Sequence, residues 1–144
     1  MKLKNYAIGN WIEGEGEGQA LYDATNNEVI GYASSKGLDF AEMMEYGRKK
    51  GQALRKMTFQ QRGRMIKALA LHLHKNRKKY YPISFQTGAT KIDSWVDIEG
   101  GIGTCFAFSS LVRREFPNDT VLVEGGMERL SAQGTFSGRH TLTP

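Results

Sequence analysis

The residues best able to do chemistry in this sequence are two histidines and one cysteine. His72 and His74 lie in a segment predicted to be helical, where side chains two residues apart point in different directions. Metal-binding pairs on helices use spacings of three or four residues, so no metal site is predicted here. Cys105 lies in the apolar run CFAF without a neighbouring histidine or basic residue, which is typical of a buried structural thiol rather than a nucleophile.

Two further pairs of functional groups also lack the pattern that catalysis needs. Ser137 and His140 are close in sequence, but the G-x-S-x-G turn that exposes a serine nucleophile is absent. Asp97 and Glu99 cannot face each other on one helix, so they do not form an acid and base pair. The sequence therefore predicts no catalytic residue of its own.

Three glycines interrupt the long apolar helix predicted over residues 89–116. Gly100, Gly101 and Gly103 each cost up to about 1 kcal/mol relative to alanine in a helix interior. We expect a close neighbour on that face, with another helix favoured over a ligand channel. Gly47 and Gly51 lie four residues apart in an earlier helix and also predict a close helix approach.

Length and composition indicate a single domain or a piece of a larger one. The chain has 144 residues, of which 40% are apolar and 10% aromatic, enough for a core. The opening MKLKNYAIGNW has no apolar signal segment, and no run approaches the roughly 18 to 20 apolar residues that span a bilayer. A single cysteine fits a reducing compartment, so we expect a cytoplasmic protein that does not enter a membrane.

The pattern of residues predicts an α+β chain in three parts: a β-ribbon over residues 1–36, a helical core over 37–116 and arm-like strands over 117–144. In the ribbon, the tract Gly14–Gly18 is predicted to be a hairpin loop and Asn26-Asn27 a turn. The predicted helices are Leu38–Lys56, residues 58–79, a short one ended by Gly88, and residues 89–116. Capping boxes are predicted at Thr58 with Gln61 and at Thr90 with Asp93, and a turn at Gly125-Gly126.

Charge is concentrated in the middle of the chain. Residues 46–92 carry thirteen basic side chains and no acidic one, although the whole chain has a net charge of only +5. A solvated helix face is the favoured interpretation. The alternative is an attraction for polyanions, either nucleic acid or a phosphorylated ligand such as a coenzyme A ester.

Several motifs, taken in order, resemble the N-terminal segment of aldehyde dehydrogenases. YAIGNW from Tyr6 is similar to the family's Y-I-x-G-x-W, and DATNNEVIG from Asp23 to its N-P-A-T-G-E-V-I-G. RGRMIKALA from Arg62 is similar to R-A-x-x-L-x-x-L-A, and Thr87-Gly88 to the E-T-G-K turn, although Gln86 and Ala89 depart from that pattern. The end of the chain, GTFSGRHTLTP, resembles the phenylacetate-degradation branch, whose members oxidise a CoA-linked semialdehyde.

This resemblance implies an incomplete N-terminal part of an α/β dehydrogenase that oxidises an aldehyde with NAD or NADP. The nucleophile, the base and the nucleotide-contacting segments are expected downstream of Pro144, so this chain alone should be inactive and bind no cofactor. The resemblance also implies that Val96 and Gly100 line the family's substrate tunnel. The implied substrate is an aldehyde or an acyl-CoA. By the same resemblance, the final strands are expected to form a homo-oligomer.

The alternative to a dehydrogenase is a non-enzymatic module that binds nucleic acid or another polyanion, or assembles, through residues 46–92. Nucleic acid is not the expected partner, because Tyr80 and Tyr81 are the only aromatic residues interleaved near the basic run and no recognised binding motif accompanies it.

Overall fold

A computed structural model of the chain describes residues 1–129, 132–134 and 137–143. Helices and strands are both present, which confirms the α+β prediction. The predicted arm over 117–144 includes positions 130, 131, 135, 136 and 144, which lie outside the described residues. In chain order the elements are β1 (Lys4–Ala7), β2 (Asn10–Glu13), β3 (Gln19–Tyr22), β4 (Val29–Ala33), α1 (Phe40–Arg55), α2 (Phe59–Asn76), a 3-10 turn (Arg77–Lys79), α3 (Tyr81–Phe85), α4 (Lys91–Glu115), β5 (Leu122–Arg129) and β6 (Ser137–Leu142).

The chain forms two units, each made of two separate stretches. The first unit combines Met1–Gly51 with His72–Ile102, and the second combines Gln52–Leu71 with Gly103–Pro144. Few apolar side chains are buried in the described residues: Ala7 and Ile102 in the first unit and Ala70 in the second.

Two antiparallel hairpins begin the first unit. β1 pairs with β2 through a tight turn at Ile8-Gly9, where both residues have positive φ, as a two-residue hairpin turn requires. β3 pairs with β4, and Asn27 has a φ of 62° in the connecting turn, which confirms the turn predicted at Asn26-Asn27. A bridge between Lys2 and Tyr32 joins the two hairpins.

The prediction of a hairpin loop at Gly14–Gly18 is wrong, because β2 and β3 do not pair with each other. The tract instead connects the two hairpins and is held by the chain that follows β4. The backbone N–H of Glu15 donates to the carbonyl of Lys36 at 2.9 Å, and the hydroxyl of Ser34 donates to the carbonyl of Glu15 at 2.7 Å. Gly14 is buried so closely against Ser34 that a Cβ would overlap the Ser34 carbonyl.

The short helix α3 ends at Phe85, and the glycine predicted to stop it follows in the next turn. Gly88 has a φ of 83°, a left-handed conformation that favours glycine, in the turn that follows the helix. The residue before Thr87 anchors this end to the hairpins, because the backbone N–H of Ala24 donates to the carbonyl of Gln86 at 2.8 Å. The Thr-Gly turn therefore fixes the direction in which the chain enters α4.

Two helices of the second unit, α2 and α4, approach each other closely at Gly63 of α2. A Cβ on Gly63 would come within 3.2 Å of Val112 Cγ1 and 3.5 Å of the Ser109 carbonyl on α4. Beside this crossing, the rings of Phe59 and Phe116 lie 5.1 Å apart, and the backbone N–H of Phe59 donates to Asp119. This packing joins the start of α2 to the end of α4.

A capping box begins α2, as predicted. The backbone N–H of Thr58 donates to Gln61 Oε1 at 2.8 Å, and the N–H of Gln61 donates to Thr58 Oγ1 at 3.2 Å. The Thr58 hydroxyl also bonds the Asn118 side chain at 2.7 Å. Thr58 therefore accepts a backbone N–H at the start of α2 and also hydrogen-bonds the segment after α4.

Replacing Thr58 by alanine should lower the free energy of unfolding by about 1 kcal/mol, since the cap oxygen is lost. Urea unfolding followed by circular dichroism measures the change. Thr58→Ser retains the oxygen and is the matched control. Equal stability of the serine and alanine variants would show that the cap contributes nothing.

The strands β5 and β6 form an antiparallel hairpin. The turn predicted at Gly125-Gly126 is wrong, because both glycines lie inside β5. They form a bulge there: the backbone register shifts between the pair Glu124 and His140 and the pair Glu128 and Gly138. The extra residues are accommodated without breaking the strand because Gly125, with a φ of 63°, allows the local kink.

Several large apolar side chains on the first two helices are exposed. Met65 and Leu69 on α2 are 45% and 52% exposed, although Ala70 beside them is fully buried. Phe40 and Met44 on α1 are also exposed. The described residues therefore supply too few partners to cover the apolar side chains of α1 and α2.

Candidate functional site

The face of α4 predicted to line a substrate tunnel begins just after its capping box. The Thr90 hydroxyl donates to Asp93 Oδ2 at 2.6 Å, and the N–H of Asp93 donates back to Thr90 Oγ1 at 3.2 Å. The Thr90 hydroxyl bond holds the pKa of Asp93 below its ordinary value. The cap's contribution to stability is therefore present at neutral pH and is lost as the pH falls through this lowered pKa.

Val96 and Gly100 lie one turn apart on this helix, and both are exposed. A Cβ on Gly100 would meet no atom within 4 Å in the described part of the chain, and the same holds for Gly101 and Gly103. The prediction that another helix approaches these glycines is therefore wrong for the described residues, as is the approach predicted at Gly47 and Gly51. Open space at Gly100 leaves room for a ligand, and the tunnel role of Val96 and Gly100 stays a prediction.

A hydrogen-bonded pair of serines, Ser84 and Ser94, holds α3 against the start of α4. Ser94 is completely buried, and Ser84 Oγ donates to Ser94 Oγ at 2.9 Å. The small volume of both side chains lets the two helices approach. This contact sets the position of Trp95 and Val96, the next residues on α4.

Glu99 is the acidic centre of a small ion-pair cluster that sequence reasoning missed. Arg77 Nε donates to Glu99 Oε1 at 2.9 Å, and His74 Nδ1 lies 3.8 Å from Glu99 Oε2. The Glu99 side chain is 24% exposed and that of Arg77 33%. Helical spacing shows that Glu99 does not face Asp97 but cannot indicate a partner 22 positions earlier in the chain.

A surface groove lies beside this cluster, between the 3-10 turn, α3 and the start of α4. It consists of two cavities of about 390 and 450 Å³ that share Tyr81 and Lys91. We call it the Tyr81 groove. Its described lining residues are Arg77, Lys78, Tyr81, Phe85, Lys91, Ile92, Trp95 and Glu99.

The other residues weighed as chemical candidates are not among the lining residues of this groove. His72 accepts a bond from the Asn76 side chain through its carbonyl at 2.9 Å. Cys105 is half-buried, and Ser137 and His140 are exposed on β6. Within residues 1–129, 132–134 and 137–143, no group of three histidine, cysteine or acidic side chains is arranged to hold a metal. None of the described helices has the length and apolar character needed to cross a membrane.

Comparison with known proteins gives one informative similarity. No family model matches the chain. The chain is 37% identical over 146 aligned residues to the 3,4-dehydroadipyl-CoA semialdehyde dehydrogenase of Aromatoleum evansii. The alignment includes the whole of this chain but only 28% of that relative, so the chain spans less than a third of its length.

Proposed function

Because the chain resembles the aldehyde dehydrogenase superfamily, and most of all its phenylacetate-degradation branch of CoA-semialdehyde dehydrogenases, we propose that it is an N-terminal part of such an enzyme. The full-length enzyme would oxidise an aldehyde to a carboxylic acid with NAD or NADP, on a CoA-linked substrate. The observation that carries this proposal is the similarity along the whole chain to a dehydrogenase of that substrate class. The three parts 1–36, 37–116 and 117–144 would be pieces of one larger domain.

The described residues do not fit a dinucleotide. Their strands are paired only as antiparallel two-stranded hairpins, whereas the pyrophosphate of NAD is held by a glycine-rich turn between a parallel strand and a helix. The nicotinamide, which accepts a hydride when bound, would therefore be held by residues downstream of Pro144, together with the cysteine nucleophile and the base. The role of this segment would be to shape the substrate path and the assembly.

The experiment that tests this function compares two purified proteins: residues 1–144 and the longest polypeptide that the source cell makes from the same gene. Both are assayed for reduction of NAD and NADP with short aldehydes and with a CoA-linked semialdehyde. We expect the longer protein to be active and residues 1–144 to be inactive. A longer protein without aldehyde oxidation would overturn the proposal, and activity of residues 1–144 would overturn the downstream location of the catalytic groups.

Gly100 offers a test of the proposed tunnel in the longer enzyme. Gly100→Leu fills open space on the face of α4 and should lower kcat/KM for a CoA-linked semialdehyde about tenfold more than for a short aldehyde, a difference of about 1.4 kcal/mol. Gly51→Leu, at another open helical glycine, is the control for the added side chain. Equal losses for large and small substrates would contradict the tunnel role.

The hairpin of β5 and β6 supports a proposal of homo-oligomer formation through these strands. A two-stranded hairpin is marginally stable alone and has unpaired strand edges, and a second copy can extend it. Light scattering of the longer protein should give a defined oligomer. Replacing Val123, which is 40% exposed on β5, by proline should shift it toward the monomer. A monomeric parent protein would contradict the proposal.

A further inference from the structure

We propose that the Tyr81 groove binds the nucleotide end of coenzyme A, the adenine ring with its phosphates. The inference rests on the proposed function, because it assigns part of the CoA-linked substrate to a surface of this chain. It also gives a specific role to three of the basic residues in 46–92, namely Arg77, Lys78 and Lys91.

The first observation is the charge of the groove. Lys78 and Lys91 are exposed, and neither ammonium group has a hydrogen-bond or ion-pair partner in the described part of the chain. Arg77 is held in place by Glu99, the only acidic side chain among the described lining residues. Three cations against one carboxylate leave a net positive groove with a fixed guanidinium at one side, a suitable arrangement for phosphate groups.

The second observation is the aromatic and apolar wall next to those cations. Tyr81 lies in both cavities, and Trp95 and Ile92 are 59% and 74% exposed in the smaller one. Purine rings stack on such aromatic faces because every base presents a π-face. The groove therefore combines an aromatic surface for the adenine ring with cations for the phosphates. Its two cavities, of about 390 and 450 Å³, match the size of small-molecule sites.

The third observation is where the groove leads. Ile92 and Gly100 are eight residues apart on α4, a rise of about 12 Å. Trp95 and Glu99 line the groove, and Val96 and Gly100 are the next residues around the helix. A ligand with its nucleotide in the groove can therefore extend its pantetheine arm along α4 to the open face at Gly100, where the acyl group would enter.

The test measures binding of coenzyme A to the longer protein by calorimetry, without any aldehyde present. We expect Lys78→Gln and Lys91→Gln each to weaken binding about fivefold to tenfold, and Trp95→Leu to do the same through lost stacking. Lys49→Gln and Lys56→Gln remove equal charge from the basic segment outside the groove and should leave the affinity unchanged. Circular dichroism establishes that each variant is folded.

Binding of shortened forms of coenzyme A identifies which part of the molecule the groove binds. Binding should weaken with 3′-dephospho-CoA, and pantetheine alone should bind no differently to parent and variants. NAD or a single-stranded oligonucleotide that competes as well as coenzyme A would overturn the assignment, as would an equal effect of the control lysines. If the longer protein oxidises short aldehydes but the groove variants bind coenzyme A as well as the parent does, this inference alone is rejected. If the groove variants weaken coenzyme A binding but the longer protein oxidises no aldehyde, the proposed function alone is rejected.

Discussion

Replacing Gly63 by leucine should lower the free energy of unfolding by about 3 kcal/mol, because the second unit has no room for the added side chain. Even a single Cβ at this position would lie 3.2 Å from Val112 Cγ1 and 3.5 Å from the Ser109 carbonyl. Extra methylene groups in a packed contact force off-rotamer side chains and backbone shifts. The two helices would have to separate at the point where α2 crosses α4.

The matched control for Gly63→Leu is an alanine at an open helical glycine. Gly51→Ala on α1 meets no atom within 4 Å and should raise stability by about 0.5 to 1 kcal/mol through helix propensity alone. Chemical denaturation of the longer protein measures both changes. If Gly63→Leu were as stable as the parent, the close approach at Gly63 would be wrong.

Replacing Ser94 by leucine should have a similarly large effect in the first unit, again about 3 kcal/mol. Ser94 is completely buried and accepts the Ser84 hydroxyl at 2.9 Å. Leucine both overfills the contact between α3 and α4 and leaves the Ser84 hydroxyl without its partner. The loss should be visible as a lower urea midpoint.

Two further variants separate volume from hydrogen bonding at Ser94. Ser94→Ala removes only the hydroxyl and should cost about 1 kcal/mol. Asp97→Leu places the same leucine on an exposed position of α4 and should change stability by less than about 0.5 kcal/mol. A similar loss for Asp97→Leu and Ser94→Leu would show that helix α4 rejects leucine generally and that the burial of Ser94 is not the cause.

The features that sequence predicted correctly depend on neighbouring residues. The capping boxes at Thr58 and Thr90, the turn at Asn27 and the glycine stop at Gly88 each follow from residues within three or four positions of each other. The chemistry of these caps and turns is local, so the sequence contains it completely. The family resemblance is local in the same sense, because it rests on short motifs that follow one another in the expected order.

The features that sequence missed depend on contacts between distant residues. Gly63 belongs to the motif RGRMIKALA, yet it is the glycine that another helix approaches, whereas a side chain at the more conspicuous Gly100 would meet open space. Glu99 finds Arg77 across 22 positions, and Gly14 is fixed by Ser34. No periodicity encodes these partners, because each depends on how whole elements pack.

The open glycines also determine where α4 is least rigid. Gly100, Gly101 and Gly103 lie near the middle of a 25-residue helix whose first turn is capped by Thr90. Glycine gains more backbone entropy on unwinding than any other residue, and no described neighbour packs where these side chains would be. The weakest turn of the helix is therefore internal, and its amide hydrogens should exchange through local opening while the capped end stays protected.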